Sequence, residues 1–449
     1  MKKLTIVALS TLASVALMAG GDIAPVAAPV VVEATDYGTF DGQAKIIHIL
    51  DGESNGYDKN TGSALYLNLG YTTPVYSGFS ARVAGGLVTD TGLRDLDGKY
   101  VAGGIYMGKK SEKDTTGTWF DFEEAYLRYQ NDTVDAKAGR FRLKTPMTTI
   151  KYSTQPNLYE GVMLNAKGLI PQTKLVGGYL TNMMYGARSL ADYGFIGEAG
   201  LISKAGNKPA RGIHGASKLA TSRGDFENFG TLALGDDAGM IVVGAVNKSI
   251  PNTKIQAWNY YVDGIANQFY ADTMTTLKLD GGFKFNFGAQ FLYESLDDAV
   301  VVNGDTPTIW GAMASAAYKG FKVGVGYNSS NGDQFVNAWG ADPLYTTTIL
   351  TRNAFRPNVD AYKVSAAYKL PSIDMIPGAI ILSGAYADYG QSSLVGVSDD
   401  STETDLVLTY KPAKNWLFRV WNVQSTSEFN TATKDRTINQ SRFIASYKF

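Results

Sequence analysis

The stretch from Phe283 to Tyr293 alternates between large apolar and mostly polar side chains, and this pattern restricts the fold more than any other feature of the chain. Successive side chains of a β-strand point to opposite faces, so five aromatic rings share one face while Lys284, Asn286 and Gln290 share the other. Similar strands recur along the chain, and many begin or end with an aromatic residue. Such placement is typical of aromatic belts at the two surfaces of a membrane, and it favours a transmembrane β-barrel over a soluble sandwich.

The last nine residues repeat this pattern up to the terminus. One predicted face carries Phe443, Tyr447 and Phe449, and the other is polar except for Ile444. An open soluble sheet would need a second protein layer over the apolar face, whereas lipid covers that face of a membrane barrel. The chain is therefore predicted to be an all-β, antiparallel transmembrane barrel.

About eighteen alternating stretches can be counted between residue 36 and the C-terminus. Their connections alternate between short turns and usually longer segments, of which the longest are 90–117, 184–237 and 331–357. This rhythm predicts short periplasmic turns and long external loops. The connection at 263–266 is an exception, because a tight turn stands where a long loop is expected.

The N-terminus carries a different signal. Two lysines precede a mostly apolar run that ends at Met18, and small residues follow before Asp22, which predicts a secretory signal peptide over residues 1–21. The alternative is a transmembrane helix, but the run is too short and too rich in hydroxyl groups to span about 30 Å of hydrocarbon. A lipid anchor is excluded because the chain has no cysteine. Residues 22–449 are predicted to form the barrel without a further domain.

Composition narrows the function classes. Without the predicted signal peptide the chain has 39 basic and 42 acidic residues, a net charge of −3, which indicates no nucleic-acid partner. Zero cysteines exclude a disulfide scaffold and thiolate metal sites. Glycine accounts for 49 of the 449 residues, a larger share than the usual value of about 7%. No apolar run beyond the first 21 residues is long enough for a membrane helix. Both observations agree with a barrel.

One part of the N-terminal half resembles a known family. The motifs are EAYLRY at 124–129, AGR at 138–140, TP at 145–146 and PNLYEGV at 156–162. In order and spacing they resemble the OprD-like outer-membrane porin family. The resemblance implies an eighteen-stranded barrel, often trimeric, that passes small hydrophilic solutes through a lumen narrowed by inward loops, with a basic ladder along one wall. The terminal Phe449 likewise resembles the signal read by the barrel-assembly machinery.

The chain departs from the family pattern just after the AGR motif. It reads Phe141-Arg142-Leu143-Lys144, which is more basic than the usual run, and Lys151 adds a further charge. The family's solute preference is therefore in question for this chain.

Basic residues within the predicted strands, on the face opposite the lipid-facing residues, are the candidates for the pore lining. A charge facing lipid at the midplane costs about 2 to 4 kcal/mol, so these side chains are expected to face the lumen. They could form a ladder that steers anions, or remain scattered charges paired with neighbours such as Glu124. The predicted pore-lining and selectivity residues are Arg82, Arg128, Arg140, Arg142, Lys144, Lys284, Lys322, Lys363, Arg419 and Arg442, of which Arg142, Lys144, Arg419 and Arg442 are expected near the narrow part.

The predicted function is passive, weakly selective diffusion of small hydrophilic solutes and ions across the outer membrane of a Gram-negative bacterium, biased toward anionic or zwitterionic solutes. Two alternatives stay open. The excess of acidic residues favours a cation-preferring porin, and the long segments at 184–237 and 331–357 could serve a surface adhesin with a closed lumen. Inward folding of 142–156 and 184–237 would make a constriction, and outward folding would make an adhesive surface.

Catalysis is not predicted. His48 and His214 are the only histidines, and neither stands in a recognisable nucleophile or metal pattern. The predicted partners are outer-membrane lipid, small solutes, the barrel-assembly machinery and further copies in a homotrimer.

Two acid-rich segments raise a minor possibility of Ca²⁺ binding, because oxygen ligands at alternate positions can wrap that ion. A hydrated loop is favoured instead, since no glutamate closes either segment at the expected distance, and no cofactor is predicted. The acidic and amide residues concerned are Asp51, Glu53, Asn55 and Asp58 in the first segment and Asp90, Asp95 and Asp97 in the second.

Overall fold

The computed structural model describes 13 parts of the chain, which are residues 36–51, 61–93, 118–149, 154–184, 226–229, 237–297, 305–332, 335, 339, 342–350, 356–391, 399–429 and 436–449. The predicted signal peptide, His214 and most of the two acid-rich segments lie outside these residues, and so do the side chains of Asp51 and Asp90.

Alternating sequence produces strands throughout the described chain. The first half contains β1 (Thr39–Asp51), β2 (Thr61–Thr72), β3 (Phe79–Asp90), β4 (Trp119–Gln130), β5 (Val134–Phe141), β6 (Leu158–Ile170), β7 (Thr173–Met184), β8 (Glu227–Asn228) and β9 (Met240–Asn247). The second half contains β10 (Thr253–Val262), β11 (Ala266–Lys278), β12 (Lys284–Leu296), β13 (Thr308–Tyr318), β14 (Phe321–Asn331), β15 (Asp360–Lys369), β16 (Ala379–Gln391), β17 (Asp399–Lys411), β18 (Trp416–Phe429) and β19 (Arg436–Lys448).

The sheet closes on itself. Apart from β8, each strand pairs antiparallel with its neighbours along the chain, β7 pairs directly with β9, and β1 pairs with β19. The two-residue strand β8 pairs only with the end of β7, so the other eighteen strands form the barrel. The predicted strand number is confirmed, and so is the tight turn between Val262 and Ala266. Within the described ranges, no helix is long and apolar enough to cross a membrane.

The predicted register of the 283–293 strand is confirmed. Phe287 and Phe291 are exposed on the outside of β12, whereas Gln290 and Glu294 are buried inside. Lipid contact accounts for this inversion of the usual burial, because the apolar face needs no protein cover in a membrane.

Aromatic rings gather at two levels of the outer wall. Near the short turns, Phe321 stacks on Tyr368 of the next strand with ring centroids 4.0 Å apart. Toward the long loops, Tyr327 lies 5.0 Å from Trp310 and 4.9 Å from Tyr362. The two levels correspond to the two membrane surfaces, as the sequence predicts.

The terminal strand completes the cylinder. The backbone N–H and carbonyl of Phe449 both bond to Gly42 of β1 at 3.1 Å, and the Phe449 ring is exposed. Ile444, the apolar exception of the polar face, points inward and packs against buried residues that include Ile47 and Trp421. That interior packing explains why one apolar residue stands on the lumen face.

Candidate pore and constriction

The described residues of the segment between β5 and β6, 142–149 and 154–157, fold into the barrel, and this segment is called here the first inward loop. Lys45 Nζ of β1 donates to the Thr154 carbonyl at 2.7 Å, and the Met147 N–H donates to the Tyr260 hydroxyl of β10 at 3.4 Å. Because β1 and β10 stand nearly opposite each other in the ring of eighteen strands, a loop that touches both crosses the lumen. The sequence left inward and outward folding of 142–156 open, and the described residues of this segment fold inward.

The described residues of a second segment, 332–359 between β14 and β15, also enter the lumen, and this segment is called the second inward loop. Trp339 Nε1 donates to Gln268 Oε1 of β11 at 3.1 Å. Farther along, the Ile349 N–H donates to Asp405 Oδ2 of β17 at 3.2 Å. These contacts span the wall from β11 to β17. Inward folding of this segment was not predicted, although apolar residues such as Trp339 in a predicted external loop were a usable signal.

The two loops meet in the interior. Asn157 Nδ2 of the first inward loop donates to the Trp339 carbonyl at 3.3 Å, and the Tyr159 hydroxyl of β6 donates to the same carbonyl at 2.7 Å. Phe229 packs between Tyr159 and Trp339. Phe229 belongs to segment 184–237, for which the sequence left inward and outward folding open and most of which lies outside the described residues. The passage through the barrel is therefore bounded by loop residues on both sides and not by the wall alone.

A β-bulge in β4 concentrates acid at the first inward loop. The pairing of β3 with β4 shifts between Ala84 and Gly85, so that Phe122 and Glu124 oppose neighbouring residues and Glu123 is the extra one. A bulge breaks strict alternation, and as a result Glu123 and Glu124 are both buried on the lumen side.

The Glu123 carboxylate is the centre of a hydrogen-bond network. It accepts from Tyr66 Oη at 2.7 Å, Asn68 Nδ2 at 2.6 Å, Arg142 Nη2 at 2.7 Å and Gln155 Nε2 at 3.0 Å. Arg142 and Gln155 stand at the two ends of the first inward loop, so one buried carboxylate fastens both ends to the wall. Such charge-assisted bonds are stronger than neutral ones.

Arg142 is held by two acids. Its Nε lies 3.6 Å from Glu124 Oε2, in addition to its contact with Glu123. Burial alone lowers the pKa of Arg142, but the influence of Tyr66, Glu123 and Glu124 outweighs it and raises the pKa above the ordinary arginine value. The guanidinium therefore stays charged, with its charge balanced locally.

Arg82 extends the network toward the short turns. Its guanidinium contacts Asp41 Oδ2 at 2.7 Å and Glu124 Oε2 at 3.0 Å. Two glycines make room for these charges, because a Cβ at Gly70 would lie 2.4 Å from the Arg82 guanidinium and one at Gly86 would lie 2.1 Å from Glu123. Glycines are thus required where these charged side chains lie over neighbouring strands on the inner face of the wall.

These features match known proteins. The family model described as the outer membrane porin, OprD family, matches residues 214–449, more than half of the chain. The chain belongs to the OprD family of outer-membrane porins. The porin therefore lies in the outer membrane of a Gram-negative bacterium and mediates diffusion of small solutes. The family prediction is confirmed, although the motifs at 124–162 precede the matched region.

Solved structures share the fold of this porin. Acinetobacter baumannii OccAB2 is 13% identical, with 91% of this chain and 97% of that chain covered and a TM-score of 0.72. A BenF-like porin from Pseudomonas fluorescens Pf-5 is 15% identical, with 92% and 100% covered and a TM-score of 0.71. Pseudomonas aeruginosa OccK9 is 14% identical, with 91% and 98% covered and a TM-score of 0.71. No curated protein matches the chain.

The predicted pore residues fall into several groups. Arg82 and Arg142 meet through Glu124, as described above. Arg128 faces the lumen and is paired with Asp135 at 2.7 Å. These three arginines follow the alternative in which lumen charges are paired with neighbouring acids.

Arg140 does not face the lumen, which corrects the sequence prediction. It stands directly opposite Ala125 in the β4–β5 register, and Ala125 lies on the outer face between inward-pointing Glu124 and Tyr126. Its guanidinium pairs with Glu160 of β6 and lies over the Phe226 ring, 4.2 Å from the centroid. A partner carboxylate on the same outer face removes the penalty that an isolated charge would bear there, and that penalty was the reason for placing Arg140 inside.

The other predicted pore residues within strands lie on the lumen face. Lys284 and Lys322 are exposed near the short turns. Lys363 Nζ donates to the Thr347 carbonyl of the second inward loop at 2.9 Å, and Arg419 Nε donates to Thr409 Oγ1 at 3.2 Å. Arg442 is 1% exposed and lies over the Trp421 ring. Arg442 is thus covered and does not line the open passage.

A cavity of about 780 Å³ lies in the lumen between the first inward loop and the turns of β6–β7 and β9–β10. Lys144 reaches it from the loop, with Thr145 and Pro146. Lys167, Lys174 and Lys248 line it from the wall, and none of these three was predicted from the sequence.

In the described part of the chain, no group of three or more His, Cys, Asp or Glu side chains is placed to hold a metal. The segments considered for Ca²⁺ lie largely outside it, so that possibility stays a prediction.

Proposed function

We propose that this porin favours anionic and zwitterionic solutes among the small hydrophilic molecules that it passes. The observation that carries the proposal is a difference in pairing. The arginines around the first inward loop are balanced by carboxylates of the wall. Lys144, Lys284 and Lys322, by contrast, form no ion pair within the described residues. Their positive charge is therefore available to attract anionic solutes in the passage.

Weak electrostatic attraction is the proposed mechanism. A fixed charge beside a narrow aqueous path replaces part of the hydration of an oppositely charged solute and raises its local concentration. At 4 Å this attraction amounts to about 1 kcal/mol in bulk water and about 4 kcal/mol at an effective dielectric constant of 20. Energies of this size favour entry without trapping the solute.

One solved relative supports the sign of the bias. The crystal structure of Pseudomonas aeruginosa OpdK, which is 10% identical to this chain with a TM-score of 0.69, contains vanillate, an aromatic carboxylate. That ligand belongs to OpdK, and its relevance here is part of the proposal.

Reversal potentials in a salt gradient test the proposal. The double variant Arg142→Gln and Lys144→Gln removes the arginine that pairs with Glu123, leaves Glu124 with Arg82 alone, and removes one lysine without an ion pair among the described residues. We expect its reversal potential to move toward cations, more so at 0.01 M salt, where the Debye length is about 30 Å, than at 0.1 M, where it is about 10 Å. Arg140→Gln is the matched control, because Arg140 lies on the outer face, and it should leave the potential unchanged.

Two outcomes would overturn the proposal. A cation-selective wild-type channel would reverse the assigned sign. An unchanged reversal potential of the double variant at low salt, with normal conductance, would remove Arg142 and Lys144 from the selective part of the path.

We further propose, from the family resemblance, that the porin assembles as a homotrimer and that Phe449 is read by the barrel-assembly machinery. Phe449→Ser should lower the amount of porin in outer-membrane fractions more than Phe443→Ser, which alters another lipid-facing ring of the same strand. Normal membrane levels of Phe449→Ser would contradict the assembly role. Chemical crosslinking that yields only monomers would contradict the trimer.

A further inference from the structure

Six successive short turns, from β6–β7 to β17–β18, share a charge pattern that diffusion through the lumen does not require. Five of them have a lysine at each end and the sixth begins with a lysine. Asp280 and Asp374 are the only acids in these turns, all of which the structure describes. Within the described residues, Lys254 is the one lysine of the turns with an ion pair, to Asp272 at 3.7 Å. The turns are called here the basic arc and comprise 167–174, 248–254, 278–284, 319–322, 369–378 and 411–414.

The rest of the rim on this side of the barrel lacks the pattern. The β2–β3 turn, 73–78, contains no charged residue, and the β4–β5 turn contains Asp132. Arg128, just before that turn, is paired with Asp135. The rim is therefore polarised, because the basic arc produces a positive field on one part of it and the remainder is neutral or acidic.

Lysines at the strand ends of the basic arc lie on the inner face of the wall. Phe321 and Val323 are exposed on the outside, so Lys322 between them is on the lumen side. Lys278 and Lys284 stand directly opposite each other in the β11–β12 register, which brings like charges together. Lipid headgroups surround the outer wall and not the mouth of the barrel. A counter-charge for these lysines must therefore come from the periplasm, the side on which the short turns of such barrels lie.

Exposed apolar residues stand on the same turns. Met375 is 92% exposed in the longest turn of the basic arc. That turn is a small hairpin of its own, because Ile373 and Ile376 pair in an antiparallel bridge. It follows Tyr368, whose ring belongs to the aromatic level near the short turns, so its tip lies beyond the hydrocarbon. Large apolar side chains in water next to unpaired charge are typical of a surface that a protein partner covers.

We propose that the basic arc is a docking surface for a soluble periplasmic protein with an acidic face. Opposite charge steers such a partner to one part of the rim, and the apolar tips supply contact area that docking removes from water. Cell-wall polymer offers carboxylates but little apolar surface, and small anions would leave Met375 uncovered. The inference goes beyond the proposed solute bias, because it concerns a macromolecule at the periplasmic rim.

Photo-crosslinking in living cells tests the surface. Benzoylphenylalanine is incorporated in place of Met375 and, as the matched control, in place of Tyr76, which is 83% exposed on the β2–β3 turn outside the basic arc. We expect position 375 to capture a soluble protein of net negative charge and position 76 to capture it much less. Only adducts of the folded, heat-modifiable barrel are counted, which excludes factors that bind the unfolded chain. No protein adduct at 375, adducts with lipid or cell-wall polymer alone, or equal capture at both positions would overturn the proposal.

The affinity of the purified captured protein for the porin tests the role of charge. The triple variant Lys278→Gln, Lys319→Gln and Lys414→Gln should weaken binding by about tenfold at low salt, since three exposed charge contacts are lost. Wild-type binding should weaken as salt rises from 0.01 M to 0.1 M, where the Debye length falls from about 30 Å to about 10 Å. Asp132→Asn is the matched control, because it changes the charge of a turn outside the basic arc, and its affinity should equal that of the wild type. Equal affinity of the triple variant and the wild type, or binding that is independent of salt, would overturn the docking surface.

A second variant keeps the test decisive if the triple variant does not assemble. Met375→Ser retains every charge and removes the most exposed apolar tip, so it should weaken binding several-fold, and wild-type affinity would contradict the part assigned to that tip. The measurements also separate this inference from the solute bias. A cation-selective wild type would refute the bias and leave the docking surface, whereas salt-independent binding would refute the docking surface alone.

Discussion

The two inward loops narrow the same lumen, but different chemistry holds them to the wall. The first inward loop is fastened by charge, with Arg142 and Gln155 both bonded to buried Glu123. The second is fastened mainly by its backbone, whose N–H groups at Ile349 and Leu350 donate to carboxylates of β17. A buried arginine that loses its acid becomes an uncompensated charge, whereas a backbone N–H needs only an acceptor oxygen. The first loop should therefore respond more strongly to loss of charge.

The largest effect is expected for Glu123→Gln. This change removes the nearer of the two negative charges that Arg142 faces while keeping the size of the side chain. Breaking a fully buried pair typically costs about 3 to 5 kcal/mol, which is an upper value here because Arg142 is half-buried and keeps Glu124. The first inward loop should detach from the wall, and single-channel conductance should rise and become noisier. Glu160→Gln is the matched control, because Glu160 pairs with Arg140 on the outer face. Equal conductance changes in both variants would contradict the distinction between lumen and outer ion pairs.

A smaller effect is expected for Gly86→Ala. The added Cβ would lie 2.1 Å from Glu123 Oε1, so the carboxylate must shift although its charge remains. We expect the same direction of conductance change as for Glu123→Gln, with smaller amplitude. Gly177→Ala is the control, since a Cβ at Gly177 meets nothing within 4 Å. Wild-type conductance in Gly86→Ala would contradict this prediction, because it would mean that the Glu123 carboxylate can shift without loosening the loop that it holds.

The smallest effect is expected at the second inward loop. Glu403→Gln with Asp405→Asn keeps an oxygen that can accept the N–H groups of Ile349 and Leu350, and a neutral hydrogen bond is worth about 0.5 to 1.5 kcal/mol, against about 1.5 to 3 kcal/mol to a charged group. Conductance should therefore change less than in Glu123→Gln. A larger change in the β17 double variant would show that charge, and not the backbone, holds the second loop.

The fold of this porin was predictable because lipid enforces a simple rule. Every strand must place apolar residues outside, so period-two alternation at Phe287 and Phe291 is visible in the sequence. The interior follows no such rule. Glu123 and Glu124 are consecutive acids within a strand. Strict alternation would place them on opposite faces, so only a bulge allows both to face the lumen.

Arg140 and the second inward loop were missed for related reasons. The prediction for Arg140 assumed that a charge on the outer face would stand alone, but Glu160 becomes its neighbour only through the β5–β6 pairing. The second inward loop contains many polar residues, which is typical of an external loop. Phe335, Trp339 and Leu344 of this loop are buried inside the lumen. The lumen exists only when all eighteen strands have closed into a barrel, so the local sequence does not show where these residues pack.

The inward loops, and not the barrel wall, set the width of the passage. Single-channel conductance of a variant in which residues 143–156 are replaced by a short Gly-Ser link tests this role of the loops. Barrels that assemble normally should conduct more current than the wild type, because the loop that crosses from β1 to β10 no longer occupies the lumen. Conductance equal to that of the wild type would contradict the account and place the constriction elsewhere.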